Sequence, residues 1–410
     1  MKKLPLAVFS ALLALFILQC QPDVITQSPV EDRLPEGETI AVDSNITSDV
    51  IWTSGNTYIL NDLIAVTANA TLTIEPCVVV KAARGATGLI IDRGARIDAR
   101  GTSTCPVIFT STEDLLEPGE IVSPNLTGDD RGLWGGLFVL GQAPVSSMVS
   151  PNIVSFLPPS LPLIFGGDSP ADNSGTLRFV SIRHTGFETA PDERPSGLNL
   201  AGVGSGTTID QVELFANSDD GFRVLGGAVQ VRNVVTSHFQ DDGYDCDMGY
   251  AGTMDNLIGI GGSSSNSSLE LDGGEGAVNP SFTIRNASFR GSQSGENYLD
   301  FQHNVHCLIE NAYFFSFDAD AVVKLDRDED AGNWLAGRID VGNLAFNTSH
   351  LNSGNTTIEA IFVDAGADGE DAFSVRPPDA AIVSVPATGA DKSAFADWTV
   401  AGVTGALDGF

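Results

Sequence analysis

The chain has 410 residues, of which 42% are hydrophobic and 18% are charged. This composition is enough to bury a substantial core, which excludes a wholly disordered chain and a small disulfide scaffold. The formal net charge of −32 at pH 7 repels nucleic acid, so we exclude a DNA- or RNA-binding role.

Residues 1–20 predict a signal peptide for export. Two lysines precede an apolar run that extends to Leu18, and this run is too short and too terminal for an ordinary membrane span. It ends at Cys20 in a sequence that resembles a bacterial lipobox, where the cysteine becomes lipidated. Gln19 stands where a small residue is usual, so an ordinary cleaved signal remains the alternative. Both interpretations predict export, and a lipid on Cys20 predicts an outer-membrane lipoprotein at the cell surface.

The rest of the chain divides into three parts by composition and pattern. Residues 21–45 are rich in Pro, Asp, Glu, Gln and Ser without sustained periodicity, which predicts a flexible tether. In residues 46–345, short strand-like segments alternate with clusters of Gly, Asn, Asp and Ser. Residues 346–410 are predicted to form final coils and a C-terminal cap, because a solenoid must cover its open end.

A four-residue pattern recurs in the central part: an apolar residue, any residue, Asn or Gln, and another apolar residue. Its amides are Gln211, Asn233, Asn256, Asn286, Asn311 and Asn343. The intervals between them are 22, 23, 30, 25 and 32 residues, which indicates a basal coil of about 22 residues with insertions. The strands of a β-sandwich recur at about 8 to 12 residues without such an amide. The pattern therefore predicts an all-β, right-handed parallel β-helix.

We expect these amides to point inward and to stack in a ladder at the turn between two faces of the coil. Backbone groups that point inward at such a turn lack a strand partner, and an amide side chain can satisfy them as well as its stacked neighbours. The apolar residues on either side of each amide are then expected to line the core.

Four cysteines lie beyond Cys20. Cys77 and Cys105 occupy the same place in two successive similar segments, so stacking brings their sulfurs together and predicts a disulfide. Cys246 and Cys307 occupy different phases of the repeat, and we expect them to be free thiols.

Six segments between about residues 50 and 330 carry a family resemblance. They are residues 70–76, 130–136, 166–168, 173–175, 202–207 and 216–221. Together they resemble the right-handed β-helix lipoproteins of Bacteroidetes and some proteobacteria. The resemblance implies a pectate-lyase-like solenoid at the cell surface and no particular activity.

An acidic cluster is the strongest candidate for chemistry. An Asp-Asp-Gly segment occurs twice, 22 residues apart, and two more aspartates follow the second copy. The six carboxylates belong to Asp219, Asp220, Asp241, Asp242, Asp245 and Asp247. In stacked coils, the two segments lie about 5 Å apart. Carboxylates packed in this way are expected to bind a cation, to pair with Arg223 or to hold protons at neutral pH.

Three interpretations of this cluster remain open. All six aspartates are candidate calcium ligands, because hard cations bind several oxygens. Alternatively, Asp219, Asp241 and Asp242 are catalytic, since the two segments resemble the first two motifs of polygalacturonases, which use paired carboxylates. The third and fourth motifs of that family have no counterpart in the following coils. The third interpretation is that Asp-Asp-Gly forms turns through local hydrogen bonds.

These observations predict an exported surface lipoprotein with a non-enzymatic binding or structural role toward carbohydrate or matrix polymers. The alternative is a polysaccharide hydrolase or lyase that uses the aspartate cluster. The expected partners are the membrane, through the lipid anchor, and a polysaccharide. Calcium is the expected cofactor, and the sequence indicates no particular oligomeric state.

Overall fold

The computed structural model describes residues 37–67, 69–150, 152–153, 163–292, 297–349, 357–367, 371–387 and 389–410. In these ranges most strands belong to two large parallel sheets, sheet A with 15 strands and sheet B with ten. From β2 to β10, two strands of sheet A alternate with one strand of sheet B, and from β13 onward single strands of the two sheets alternate. The chain therefore winds as a right-handed parallel β-helix. The predicted fold class is confirmed.

The strands are numbered in chain order. Sheet A contains β1 (Thr39–Val42), β2 (Val50–Trp52), β3 (Thr57–Leu60), β5 (Thr71–Ile74), β6 (Val79–Ala82), β8 (Arg96–Arg100), β9 (Val107–Ser111), β13 (Gly175–Arg183), β15 (Thr208–Phe215), β17 (Gln230–Ser237), β19 (Thr253–Ile260), β21 (Phe282–Arg290), β23 (Cys307–Phe315), β25 (Ile339–Asn347) and β27 (Ala380–Val383). Sheet B contains β4 (Leu63–Val66), β7 (Gly85–Ile91), β10 (Trp134–Leu140), β14 (Leu198–Ala201), β16 (Phe222–Leu225), β18 (Asp242–Asp247), β20 (Ser267–Asp272), β22 (Asn297–Gln302), β24 (Val323–Leu325) and β26 (Phe362–Asp364). A separate antiparallel pair consists of β11 (Asn152–Ile153) and β12 (Ile164–Phe165).

The long strands of sheet A bend at the recurring amide. All six amide residues have a left-handed backbone, with φ between 52° and 64°. In a regular strand, residues three positions apart face opposite sides of the sheet. The bend changes this alternation, so Val231 and Val234, on either side of Asn233, are both fully buried. This explains why the pattern has apolar residues at its first and fourth positions.

The amides stack as predicted, but the expectation that they point inward is wrong. Asn343 is exposed and the other five are half-buried. The Nδ2 of Asn256 donates to Oδ1 of Asn233 at 2.6 Å, and Asn311 donates in the same way to Asn286 at 2.7 Å. The left-handed bend turns these side chains toward the edge of the coil, where they bond to one another between coils.

The interior of the coils forms one continuous apolar core that extends from Trp52 to Phe373. Cys77 and Cys105 form a disulfide on adjacent coils, with their Cα atoms 4.7 Å apart. Cys246 and Cys307 are buried free thiols.

The first coil begins earlier than the sequence indicates. Strand β1, Thr39–Val42, pairs in parallel with β3, Thr57–Leu60. The predicted boundary of the tether at residue 45 is therefore too late, because a strand of four residues at an end of the sheet is too short to show the periodicity of the inner strands. Cys20, the signal peptide and residues 21–36 lie outside the described residues.

The helices of the described part are short and lie in the C-terminal quarter. They are α1 (Asp328–Leu335), α2 (Ile358–Ile361), α3 (Ala372–Val375), a 3₁₀ turn (Lys392–Phe395) and α4 (Val400–Val403). None of the helices in the described ranges is long and apolar enough to cross a membrane.

Residues 389–410, here called the C-terminal strap, correct the prediction of a terminal cap for 346–410. The strap runs back along the outer face of sheet A, where the ring of Trp398 lies 5.5 Å from that of Phe179. It covers a row of outward-facing apolar side chains, Val235, Ile258 and Ile260. Only the earlier part of the predicted cap, which contains α2, α3, β26 and β27, continues the last coils. Apolar side chains on an outer sheet face require such a cover.

Candidate functional site

The two Asp-Asp-Gly segments lie on neighbouring coils, at the start of β16 and β18 in sheet B. The strands pair in parallel, with Arg223 beside Asp245. At their start, the backbone N–H of Asp242 donates to Oδ1 of Asp220 at 3.2 Å. The segments are stacked because equivalent residues of successive coils lie at the spacing of neighbouring strands.

All six predicted aspartates line one cavity of about 400 Å³ on the outer side of sheet B, here called the acidic cavity. Its acidic residues are Asp192, Glu193, Asp219, Asp220, Asp241, Asp242, Asp245, Asp247 and Glu270. Arg194 and Arg223 are the two basic residues of its lining, and no histidine or lysine of the described residues lines it. The cavity therefore carries a large excess of potential negative charge.

Asp220, Asp241 and Asp242 form the tightest group in the cavity, here called the carboxylate triad. One oxygen from each lies within 4.8 Å of the others. Asp220 and Asp242 are buried, whereas Asp241 is exposed at the rim. Three carboxylate oxygens at this separation provide ligands of the type that calcium prefers.

Arg223 compensates part of the charge. Its guanidinium lies 2.9 Å from Asp245, 3.7 Å from Asp247 and 3.8 Å from Asp220. Asp245 is the main cause that raises the pKa of Arg223, so this arginine stays charged. A single guanidinium balances one carboxylate fully and leaves the remaining acids of the cavity without an equal number of cations.

Burial changes the acidity of the cavity. Removal from water, with the charges of neighbouring carboxylates, raises the pKa of Asp219 to about 8. Burial also raises the pKa of Asp220, to about 6, against the opposing effect of Arg223. For Asp242, burial and the facing Glu270 side chain raise the pKa well above its usual range. Without a bound cation, the cavity therefore retains protons at neutral pH.

Two buried oxygens in this cavity receive no hydrogen bond. Oδ1 of Asp242 and Oδ1 of Asp245 are both enclosed, and no donor in the described part of the chain reaches them. Their residues are only 1% and 4% exposed. A buried acceptor without a partner carries a free-energy cost of about 1–3 kcal/mol, so this arrangement is suited to a ligand that brings donors or positive charge.

A second depression of about 760 Å³, here called the polar groove, adjoins the acidic cavity and shares Arg194 with it. Its lining includes Phe187, Ser218, Gln240 and Ser264. Ser218 and Gln240 directly precede Asp219 and Asp241 in the chain, so the same two coils form both depressions. The ring of Phe187 is partly exposed.

Sequence reasoning missed Glu270 and Arg194. Glu270 stacks on Asp245 from the next coil, in β20. The alternation of Leu269, Glu270 and Leu271 one coil after Asp245 is the signal that indicates an outward carboxylate there. Arg194 comes from the loop between β13 and β14, and the repeat pattern does not predict the position of this loop.

A family model described as "Pectate-lyase like beta helix domain" matches residues 44–400. This range contains all of sheet B and every residue of the acidic cavity. Neither a curated protein nor a solved structure matches the chain.

Proposed function

The chain belongs to the family of pectate-lyase-like β-helix domains, and from this premise we propose that it is a non-enzymatic, exported surface lipoprotein that binds a carbohydrate or matrix polymer. Membership in this family relates the scaffold to carbohydrates. The polymer is proposed to bind at the acidic cavity and the polar groove of sheet B.

The observation that carries this proposal is the acidic cavity itself, which lies beside a groove lined by neutral polar residues, acidic and basic residues in equal number, and one partly exposed aromatic ring. Sugar hydroxyls bind to amide, hydroxyl and carboxylate groups, and the C–H face of a sugar ring packs on an aromatic ring. Serine, glutamine and phenylalanine side chains supply such contacts at Ser218, Gln240 and Phe187.

The proposal includes a cation at the carboxylate triad. The expected ion is calcium, because carboxylate oxygens that converge in this way match its ligand preference. Asp219, Asp245 and Asp247 are the further candidate ligands that the sequence suggests, although Arg223 already pairs with Asp245 and Asp247. Calcium bound to the folded chain alone raises the melting temperature, and chelation reverses the rise.

The proposed location rests on the N-terminal segment. The apolar run before Cys20 supports export, and lipidation of Cys20 attaches the protein to the outer membrane. Incorporation of a labelled fatty acid into the wild-type protein, and its loss in Cys20→Ala, is the expected result.

The binding function is tested with a panel of soluble and insoluble polysaccharides in the presence of calcium and of a chelator. We expect at least one polymer to bind, and Asp242→Asn to weaken that binding at least tenfold, the scale of one hydrogen bond to a charged group. Glu310→Gln, which removes an exposed charge from sheet A, is the matched control and should bind as the wild type does. Absence of binding across the whole panel would overturn the proposal.

A polysaccharide hydrolase or lyase is the second candidate, and one observation favours it. Asp219 has a pKa of about 8, as a general acid requires, and it shares the cavity with Asp241 and Asp242. Release of reducing ends or unsaturated uronates from a pectin or another uronate polymer, abolished in Asp242→Asn, would establish this candidate and replace the binding role. No product across the panel would eliminate it.

A further inference from the structure

The charge balance of the acidic cavity points to the chemical class of its ligand. Nine acidic residues line the cavity and two arginines face them. One of these arginines, Arg194, forms its ion pair with Glu188, outside the cavity lining. A ligand that brings more negative charge, such as a bare uronate chain, would increase the repulsion. A ligand with positive charge relieves it.

We propose that the ligand is a glycan with free amino groups, of the glucosamine class, and that one of its ammonium groups binds among Asp220, Asp241 and Asp242. This inference rests on the proposed carbohydrate-binding function and specifies its ligand. The sugar itself supplies the positive charge, and calcium competes with it for the same oxygens.

The geometry of the carboxylate triad fits an ammonium group. An ammonium group donates three hydrogen bonds beyond its bond to carbon. Three acceptor oxygens around one nitrogen, each about 2.8 Å away, stand about 4.6 Å from one another. The oxygens of the triad lie within 4.8 Å of one another. Calcium binds oxygen at about 2.4 Å, so oxygens within this separation can also bind calcium, and the two cations therefore compete for the triad.

A second observation, independent of the acidic residues as a group, indicates that donors are missing. Asp242 and Asp245 line the cavity and are only 1% and 4% exposed, and Oδ1 of each residue receives no hydrogen bond. Asp242 belongs to the carboxylate triad, so one of these unsatisfied acceptors lies on a residue to which an ammonium group would donate. Asp245 lies beside the triad and already pairs with Arg223 through its other oxygen.

The polar groove explains why the ligand is a sugar and not a simple amine. It adjoins the acidic cavity at the shared Arg194, and its lining includes Ser218, Gln240 and the partly exposed ring of Phe187. These groups bind the hydroxyls and the C–H face of a further pyranose ring. A short diamine reaches the triad but makes none of the groove contacts.

The test compares ligands of equal length that differ in charge. Binding of the protein to a glucosamine hexamer, an N-acetylglucosamine hexamer and a galacturonate hexamer is measured by calorimetry, with 1,4-diaminobutane as the amine control. We expect the glucosamine hexamer to bind at least tenfold more tightly than each of the others, and calcium to weaken its binding by competition.

Variants localise the interaction. Asp241→Asn, at the exposed rim, and Asp242→Asn should each weaken binding of the glucosamine hexamer roughly tenfold or more, while Glu310→Gln should not. A melting temperature of Asp241→Asn that is no lower than that of the wild type excludes misfolding as the cause. Phe187→Ala should weaken binding of the hexamer but leave that of 1,4-diaminobutane unchanged.

Three results would overturn the inference. Equal or tighter binding of the acetylated or uronate hexamer would remove the requirement for an ammonium group and leave carbohydrate binding intact. Equal binding of the diamine would show a site for cations and not for a sugar. Lack of binding by the three hexamers, when another polysaccharide of the panel binds, would reject the glucosamine class alone.

Discussion

At the residue scale, the acidic cavity reflects the cost of moving carboxylates out of water. Asp219 and Asp220 have neighbours of the same charge on the adjacent coil, and burial raises the pKa of both. The same cause acts further along sheet B, where burial raises the pKa of Asp300 to about 6. Stability and ligand binding at this site are therefore both linked to protons.

The first prediction concerns the pH dependence of stability. Asp219 and Asp220 titrate at about 8 and about 6 in the folded chain but at the ordinary pKa of 3.8 in the unfolded chain. Unfolding between these pH values therefore releases protons, so the free energy of unfolding falls as pH rises from about 4 to about 8. In a chelator, the melting temperature should decrease across this window. Each retained proton contributes a slope of about 1.4 kcal/mol per pH unit.

Asp219→Asn isolates one of these groups. It should flatten the upper part of the decrease, from about pH 6 to pH 8, because Asp219 titrates at about 8. Glu310→Gln should keep the wild-type slope. A melting temperature that rises with pH in the absence of divalent cations would contradict this description of the cavity.

Sequence reasoning found six of the nine acidic residues because they lie in a repeated segment. Asp219 and Asp241 are one coil apart, so the repeat length alone predicted their proximity. Asp192, Glu193 and Arg194 come from a loop whose position depends on tertiary packing, which the period of the coil does not encode.

At the element scale, the bent strands of sheet A depend on the left-handed amides. Asn286 has a φ of 55°, donates to Oδ1 of Asp255 at 2.7 Å and accepts from Nδ2 of Asn311 at 2.7 Å. The four-residue pattern predicted the ladder because the amide and both apolar positions recur together. It did not predict the outward direction of the amides, which depends on the backbone dihedral angles.

The second prediction separates the backbone contribution of Asn286 from that of its side chain. Asn286→Ala loses two hydrogen bonds and forces alanine into a left-handed conformation, at a total cost of about 2–4 kcal/mol. Asn286→Gly loses the same bonds without the steric cost and should be destabilised by about half as much. Urea unfolding measures both. Equal destabilisation by the two variants would mean that the left-handed backbone at residue 286 adds no steric cost for alanine, which would contradict the prediction.

The C-terminal strap is an element that the repeat pattern did not reveal. Its backbone N–H of Ala401 donates to Oε1 of the buried Glu213 at 3.3 Å, and Glu213 lies 3.6 Å from the buried guanidinium of Arg183. The strap therefore shields the Arg183–Glu213 ion pair from solvent. A buried ion pair that loses one of its hydrogen bonds destabilises the folded chain. Its sequence has no coil-length repeat, and its position on the face of sheet A is set by tertiary packing, which the repeat does not encode.

At the scale of the whole molecule, the acidic cavity is formed by the stacking of successive coils. The strands of each coil pair with those of the neighbouring coils, so residues about one coil apart in sequence become neighbours in space. Asp220, Asp242 and Glu270 come from three successive coils and meet in one cavity. The net charge of −32 extends the attraction for cations beyond this cavity, within a Debye length of about 8 Å in physiological salt.

The central claim is that the acidic cavity holds protons in place of a positively charged ligand. Calorimetric titration of calcium near neutral pH, in buffers with different ionisation enthalpies, tests this claim most directly because it counts the protons that binding displaces. We predict a net release of about one proton per calcium ion for the wild type and a smaller release for Asp219→Asn. Calcium binding with the same heat in every buffer, and hence no proton release, would contradict it.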